Sequence, residues 1–277
     1  MREEATAFVP GHITGFFSAH PDEDPTKAGS RGAGLTLTDG VEVTVTPAAS
    51  DDSTIVLDGN ELEIDPVSTV LETLDVTARV EGESELPLGA GFGVSGAMAL
   101  GTALAANHVF ERQLSMNELV TIAHGAEVRA GTGLGDVVAQ AHGGVPIRLE
   151  PGGPQENTLD AIPARARVEY VSFGELSTAD VLSGDTETLT AAGAEALARV
   201  VEEPTLVSFM YASRLFARDA ELLTDQIKET IADVSAADGQ ASMAMLGETV
   251  FALGTGLSDA GYEPSVCATH PAGAMLK

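Results

Sequence analysis

Cysteine occurs once in 277 residues, tryptophan is absent, and lysine occurs only at Lys27, Lys228 and Lys277. A lone Cys267 excludes an internal disulfide and any cysteine-based zinc site, and the cytoplasm is the simplest address for such a chain. No stretch reaches the ~20 apolar residues of a membrane span. Met1-Arg2-Glu3-Glu4 also lacks the basic region and apolar run of a signal peptide. Positive charge is the scarcest commodity: 14 basic side chains face 42 acidic ones, for a net charge of -28. Such a surface repels nucleic acid and anionic membranes, so neither is expected as a partner.

The acidic residues are dispersed rather than gathered in a tail, and 44% of residues are hydrophobic, which argues against disorder. A folded, halophilic protein accounts for both, because concentrated ions screen self-repulsion that would otherwise work against a marginally stable fold. Melting temperature and activity should therefore rise with potassium chloride from ~0.1 M to above ~1 M as screening lengths contract. Melts that stay flat or fall across that series would count against adaptation to salt.

The chain is long enough for one enzyme unit of two lobes. Its first ~80 residues alternate like strands. Val41, Val43 and Val45 are expected opposite Leu35 and Leu37, across a hairpin turn at Asp39-Gly40. Residues 94–110 are small and apolar nearly all round, predicting a helix buried on most sides. Ser115-Met116-Asn117-Glu118 has capping-box spacing and predicts a helix through about residue 129. A short helix after Asp136 and a strand at 145–149 should follow, and the Pro/Gly-rich run 150–154 marks a boundary between units 1–152 and 153–277. Beyond it, strands are expected at 167–173, before residue 253 and at 265–269, with helices filling much of 187–232.

The most informative stretch is Pro87-Leu88-Gly89-Ala90-Gly91-Phe92-Gly93-Val94-Ser95-Gly96-Ala97, which leads directly into the small-residue helix. Glycines let several N–H groups converge without Cβ obstruction, and a helix start adds unpaired N–H groups and the positive end of its dipole. This is a cradle for phosphate. No Lys-Ser/Thr follows the glycines, so it is not a Walker loop, and no acidic ribose partner stands where a dinucleotide fold would need one.

The stretch resembles the phosphate loop P-x-x-x-G-L-G-S-S-A of the GHMP kinases, with Pro87, Gly91, Phe92, Gly93 and Ser95 in register. Val94 replaces the first serine and Gly96 the alanine. Within that superfamily, residues 8–17, the 29–34 turn and the 131–136 turn look most like archaeal pantoate kinases, and the similarity spans nearly the whole chain. The resemblance implies an α+β fold of two lobes. The first would be like ribosomal protein S5 domain 2, with a left-handed βαβ unit, and the second ferredoxin-like.

It also implies ATP and Mg2+ as cofactors, with the phosphates cradled by Pro87, Gly89, Ala90, Gly91, Phe92, Gly93, Val94, Ser95 and Gly96. Ser95 matches the loop serine that holds magnesium in relatives, and Glu127 lies on the helical stretch where relatives carry a second acidic magnesium ligand, its spacing to Asp136 two residues shorter than in mevalonate kinases. Asp136 stands seven residues before Gly143-Gly144, the interval that separates the catalytic aspartate from the paired glycines in mevalonate kinase-like members, and could alternatively cap its helix. His12 occupies the place of a lysine that polarises the attacking hydroxyl, so it is a candidate for catalysis and for substrate binding. Arg31, set among glycines, could hold an anionic substrate in a molecule of this charge, with Lys27 and Arg129 as lesser candidates. The family's third motif aligns with residues 241–248, where methionines replace glycines, Gly247 is retained, and Met243 and Met245 read as core.

The implied activity is phosphorylation of the primary hydroxyl of pantoate, a small hydroxy acid, on the way to coenzyme A. A homoserine- or mevalonate-type kinase, or a nucleotide-sensing module without catalysis, are the alternatives. A homodimer is compatible with the resemblance.

Overall fold

The computed structural model describes residues 2–175 and 186–277. Two long strands, β1 (Ala5–His20) and β2 (Gly29–Pro47), pair antiparallel along almost their full length and form the spine of the first sheet. Short strands β3 (Thr54–Leu57) and β4 (Asn60–Glu61), helix α1 (Asp65–Thr73) and strand β5 (Ala78–Ser84) follow. β5 runs antiparallel to β2 and parallel to β3, so α1 bridges a parallel pair, as a crossover must.

The Asp39-Gly40 turn expected from sequence is not a turn. Val9 pairs with Val41, Pro10 with Gly40 and His12 with Thr36, so residues 37–39 bulge out of a strand that continues through them. The chain reverses instead between His20 and Gly29. Gly40 is required there by proximity: a Cβ would lie 2.4 Å from the Val9 carbonyl oxygen.

Helix α2 (Val94–Val109) is buried along most of its length, as its composition predicts, and Gly101 lets it sit directly on Val43. Helix α3 (Met116–Ala130) opens with the capping box: the Glu118 carboxylate accepts from Ser115 N–H at 2.8 Å, and the Ser115 hydroxyl accepts from Glu118 N–H. Helix α4 (Asp136–His142) leads into β6 (Pro146–Glu150), which pairs with β2 and with β7 (Thr158–Ala161). Sheet membership therefore changes after β7, beyond residue 152.

The second sheet is β11-β8-β10-β9, antiparallel throughout, from β8 (Arg167–Glu175), β9 (Ala241–Ala244), β10 (Gly247–Leu253) and β11 (Ser265–Ala268). Helices α5 (Thr186–Glu202), α6 (Leu206–Asp219), α7 (Asp225–Ala236) and the short α8 (Gly256–Asp259) complete this lobe. A final pair, β12 (Met275–Leu276), returns to β1 in the first sheet.

The lobes share one hydrophobic core. Gly193 on α5 sits against the Phe17 carbonyl, where a Cβ would be 1.9 Å from the oxygen, and Gly15 makes room for Phe209 and Ser213 of α6. The second lobe thus packs on the C-terminal half of β1, while the phosphate loop joins its other half. Among the described residues the only buried carboxylates are Glu127 and Glu169, so the acidic excess lies at the surface. No helix is long and apolar enough to cross a membrane among those residues.

Candidate active site

The glycine-rich stretch lies between β5 and α2 and leads straight into the first turn of α2. Gly91 (φ 88°) and Gly93 (φ 63°) take left-handed conformations that side chains resist, and Gly93 is the residue from which α2 starts. His12 N–H on β1 donates to the Phe92 carbonyl at 2.9 Å, and the Phe92 ring meets Tyr170 edge-on at 4.8 Å. The loop borders a cleft of about 890 Å³, lined in part by Gly89, Gly91, Gly93, Val94 and Ser95. Pro87, Ala90, Phe92 and Gly96 are not part of that lining; the latter three are buried behind it.

Opposite the loop, α3 ends at Gly131 and the chain turns through 131–135 before α4, which brings Glu127, Thr132 and Asp136 to the start of α2. The hydroxyls of Ser95 and Thr132 both donate to Glu127 Oε1, at 2.8 and 2.9 Å. A Cβ on Gly133 would lie 2.3 Å from Glu127 Oε2 and 3.2 Å from Asp136 Oδ2, so both carboxylates aim their second oxygens toward this glycine. Burial raises the Glu127 pKa to about 7, opposed by the Ser95 and Thr132 hydroxyls and reinforced by the charge of Asp136.

Asp136 is the first residue of α4, yet its side chain does not cap the helix. Its Oδ1 accepts from His12 Nδ1 at 2.8 Å. Burial pushes the Asp136 pKa up, but the His12 hydrogen bond and the positive charge of Arg148 outweigh it and leave the carboxyl below its usual value. His12 is wholly buried, and desolvation holds its imidazole below the ordinary range despite Asp136. The pair is therefore an aspartate and a neutral imidazole that donates from Nδ1, while Nε2 has no partner among the described residues. His12 does not reach the cleft surface; Asp136 does.

Arg31 lies elsewhere. It is not part of the cleft lining, and its guanidinium donates to Glu150 on β6. The cation that does line the cleft is Arg148, one residue along the chain from Ile147 in β6 and 1% exposed. Its Nε and Nη1 have no hydrogen-bond partner, and it makes no ion pair among the described residues. Gly135 admits it: a Cβ there would sit 2.6 Å from both Arg148 Nε and Ser30 Oγ. Burial lowers the Arg148 pKa to about 10 against the attraction of Asp136, so it remains charged at neutral pH. Sequence reading passed over Arg148, although an arginine inside an apolar strand was a usable signal in a chain this poor in cations.

Phe17, Leu134, Met245 and Leu246 supply apolar wall to the same cleft, whereas Ile13 and Phe16 are wholly inside the core. The third motif forms the β9–β10 hairpin. Met243 is core as expected, and Met245 is buried yet borders the cleft. Gly247 is pressed against the loop, where a Cβ would lie 2.0 Å from the Ala90 carbonyl oxygen.

The profile of the GHMP kinases N terminal domain matches residues 66–144, which contain the loop, Glu127 and Asp136. A pantoate kinase of Methanospirillum hungatei is 35% identical over 264 residues, covering 90% of this chain and 87% of its own. A pantoate kinase of Thermococcus kodakarensis is 34% identical over 261 residues, 89% of this chain and 86% of its own. A solved structure described as a phosphotransferase related to the CoA biosynthesis pathway superposes with a TM-score of 0.88 at 30% identity, covering 99% of this chain and 98% of that one. With identity at this level sustained over about nine-tenths of the length, the chain belongs to the pantoate kinase family of the GHMP kinases.

Proposed function

We propose that this kinase transfers the γ-phosphoryl group of ATP to the primary hydroxyl of pantoate, yielding 4-phosphopantoate for coenzyme A synthesis, and that it works in the cytoplasm. The observation that carries the substrate reading is Arg148, a buried guanidinium with two unpartnered nitrogens, in one cleft with Asp136 and the phosphate loop. A buried charge without a counter-ion costs several kcal/mol, so it points to an anion arriving with the substrate. Pantoate presents a carboxylate for Arg148, and a quaternary carbon bearing two methyls for a wall of Phe17, Leu134 and Leu246. The carboxylate role expected of Arg31 thereby passes to Arg148.

The loop N–H groups and the start of α2 would take the ATP phosphates. Ser95 and Glu127 are hard oxygen donors of the kind magnesium accepts, and they stand together beside that loop. Among the described residues no cluster of three His, Cys, Asp or Glu could hold an ion unaided, which fits a metal that arrives with nucleotide phosphates. Bound there, magnesium would neutralise charge on the phosphoryl oxygens. Asp136 would accept a hydrogen bond from the attacking hydroxyl and take its proton as the bond to phosphorus forms. His12 would hold that carboxylate in place.

The test is phosphotransfer in concentrated potassium chloride against a panel of hydroxy acids. kcat/KM for pantoate should exceed that for homoserine, mevalonate and shikimate by at least ~10²-fold, because the competitors misplace the anion or leave Arg148 unpaired. Equal turnover of any competitor would remove the pantoate assignment. Nucleotide binding with no ATP consumption on addition of any hydroxy acid would instead favour a nucleotide-sensing module.

A further inference from the structure

Three carbonyls of the phosphate loop are captured by groups outside it. Ala90 C=O accepts from the Thr249 hydroxyl on β10 at 2.8 Å, Phe92 C=O accepts from His12 N–H, and Gly93 C=O, which also takes the first bond of α2 from Ala97 N–H, accepts from Gln140 Nε2 on α4 at 2.9 Å. No peptide bond here is cis, and in a trans peptide the C=O and the following N–H point in opposite directions. Fixing these carbonyls therefore fixes the N–H groups of Gly91, Gly93 and Val94 on the other side. Among the described residues none of those three N–H groups has a hydrogen-bond partner, and all three residues line the cleft.

We propose that Thr249 and Gln140 are positioning residues of the phosphate loop, which aim the N–H groups of Gly91 and Val94 at a nucleotide phosphate by holding the carbonyls behind them. Both side chains are wholly buried and neither lines the cleft, so they act through the backbone and not on the ligand. Gln140 pays for its place: its Oε1 has no partner among the described residues, a buried amide oxygen that an apolar residue would not leave unsatisfied. Thr249 is backed by Ser172, whose hydroxyl lies 3.0 Å away and can donate to it, freeing the threonine proton for Ala90. The hairpin that aligns with the family's glycine-rich third motif thus serves the loop mechanically, with methionines where glycines would allow close approach to phosphate.

This inference rests on the loop being the ATP site, so the experiment separates the two. Binding of the non-hydrolysable analogue AMPPNP with magnesium would be titrated in concentrated potassium chloride for Thr249→Val, Gln140→Leu and Gly91→Val, alongside KM for ATP and for pantoate. The first two variants should each weaken AMPPNP and raise KM for ATP by roughly 10-fold, in line with loss of one oriented hydrogen bond, while KM for pantoate stays within about 2-fold. Thr249→Ser should restore nucleotide affinity.

Wild-type AMPPNP affinity in both variants, or equal losses for ATP and pantoate, would overturn the positioning role. If Gly91→Val loses the analogue while those two keep it, only this inference falls. If Gly91→Val also binds normally, the loop assignment falls with it. Should the apolar variants not fold, Thr249→Ser and Gln140→Glu decide: the serine should bind as wild type, the glutamate should bind more weakly, and the reverse pattern overturns the proposal.

Discussion

Replacing Asp136 with asparagine should lower kcat by ~10²–10⁴-fold while leaving AMPPNP affinity within a few-fold of wild type. The amide preserves the side chain's shape and can still meet His12 through its oxygen, but it cannot take a proton or carry the charge that faces Arg148. The carboxylate is well set for the task proposed for it. It is partly open to the cleft, its Oδ1 is fixed by His12, and its Oδ2 is directed toward Gly133 near the second oxygen of Glu127. Its lowered pKa keeps it ionised in the neutral range, so it is ready to accept before substrate enters. Because phosphoryl transfer passes through a loose transition state, much of its effect comes from orienting the hydroxyl rather than from early deprotonation. A normally folded Asp136→Asn enzyme with full kcat would take Asp136 out of the mechanism.

The parts of this site that the sequence discloses are those whose chemistry is local. The loop glycines announce a backbone conformation, the small-residue run announces a buried helix, and the capping box at Ser115 and Glu118 announces a helix start. Ser95 and Asp136 were legible by register with a known pattern and Glu127 only by lying on the helical stretch that leads to Asp136, and the fold brings all three to the start of α2. Asp39-Gly40 misleads because its composition suits a hairpin turn, whereas the fold uses it at a bulge, where the register with β1 shifts between Pro10 and His12.

His12 was legible as a site residue but not as a neutral, buried partner of Asp136, since its environment is assembled from β2, α4 and β6 together. The same limit hid Arg148, whose neighbours Gly135 and Ser30 lie on separate segments. Local pattern names candidates. Only tertiary packing decides which cation is spent on the surface and which is kept for the ligand.

That distinction between Arg31 and Arg148 gives a prediction with two opposite halves. Arg31 is half-buried, pairs with Glu150 and is not part of the cleft lining, so Arg31→Ala should change KM for pantoate by less than about 3-fold. Arg148→Met removes the only cation that lines the cleft among the described residues and should raise KM for pantoate by roughly 10²–10³-fold, the scale of losing a buried charge-assisted pair. KM for ATP should move little. Stability should respond in the other direction from most core substitutions. Arg148 has no counter-ion in contact and two unsatisfied nitrogens, so an apolar chain of similar length relieves a desolvation cost instead of breaking a bridge. Asp136 loses the positive charge of Arg148 in exchange, which offsets part of the gain. The expected outcome is a variant that melts at or above the wild-type temperature yet barely binds pantoate. A variant that melts far below wild type would mean that Arg148 is chiefly structural, and unaltered pantoate KM in a folded protein would return the carboxylate role to another residue.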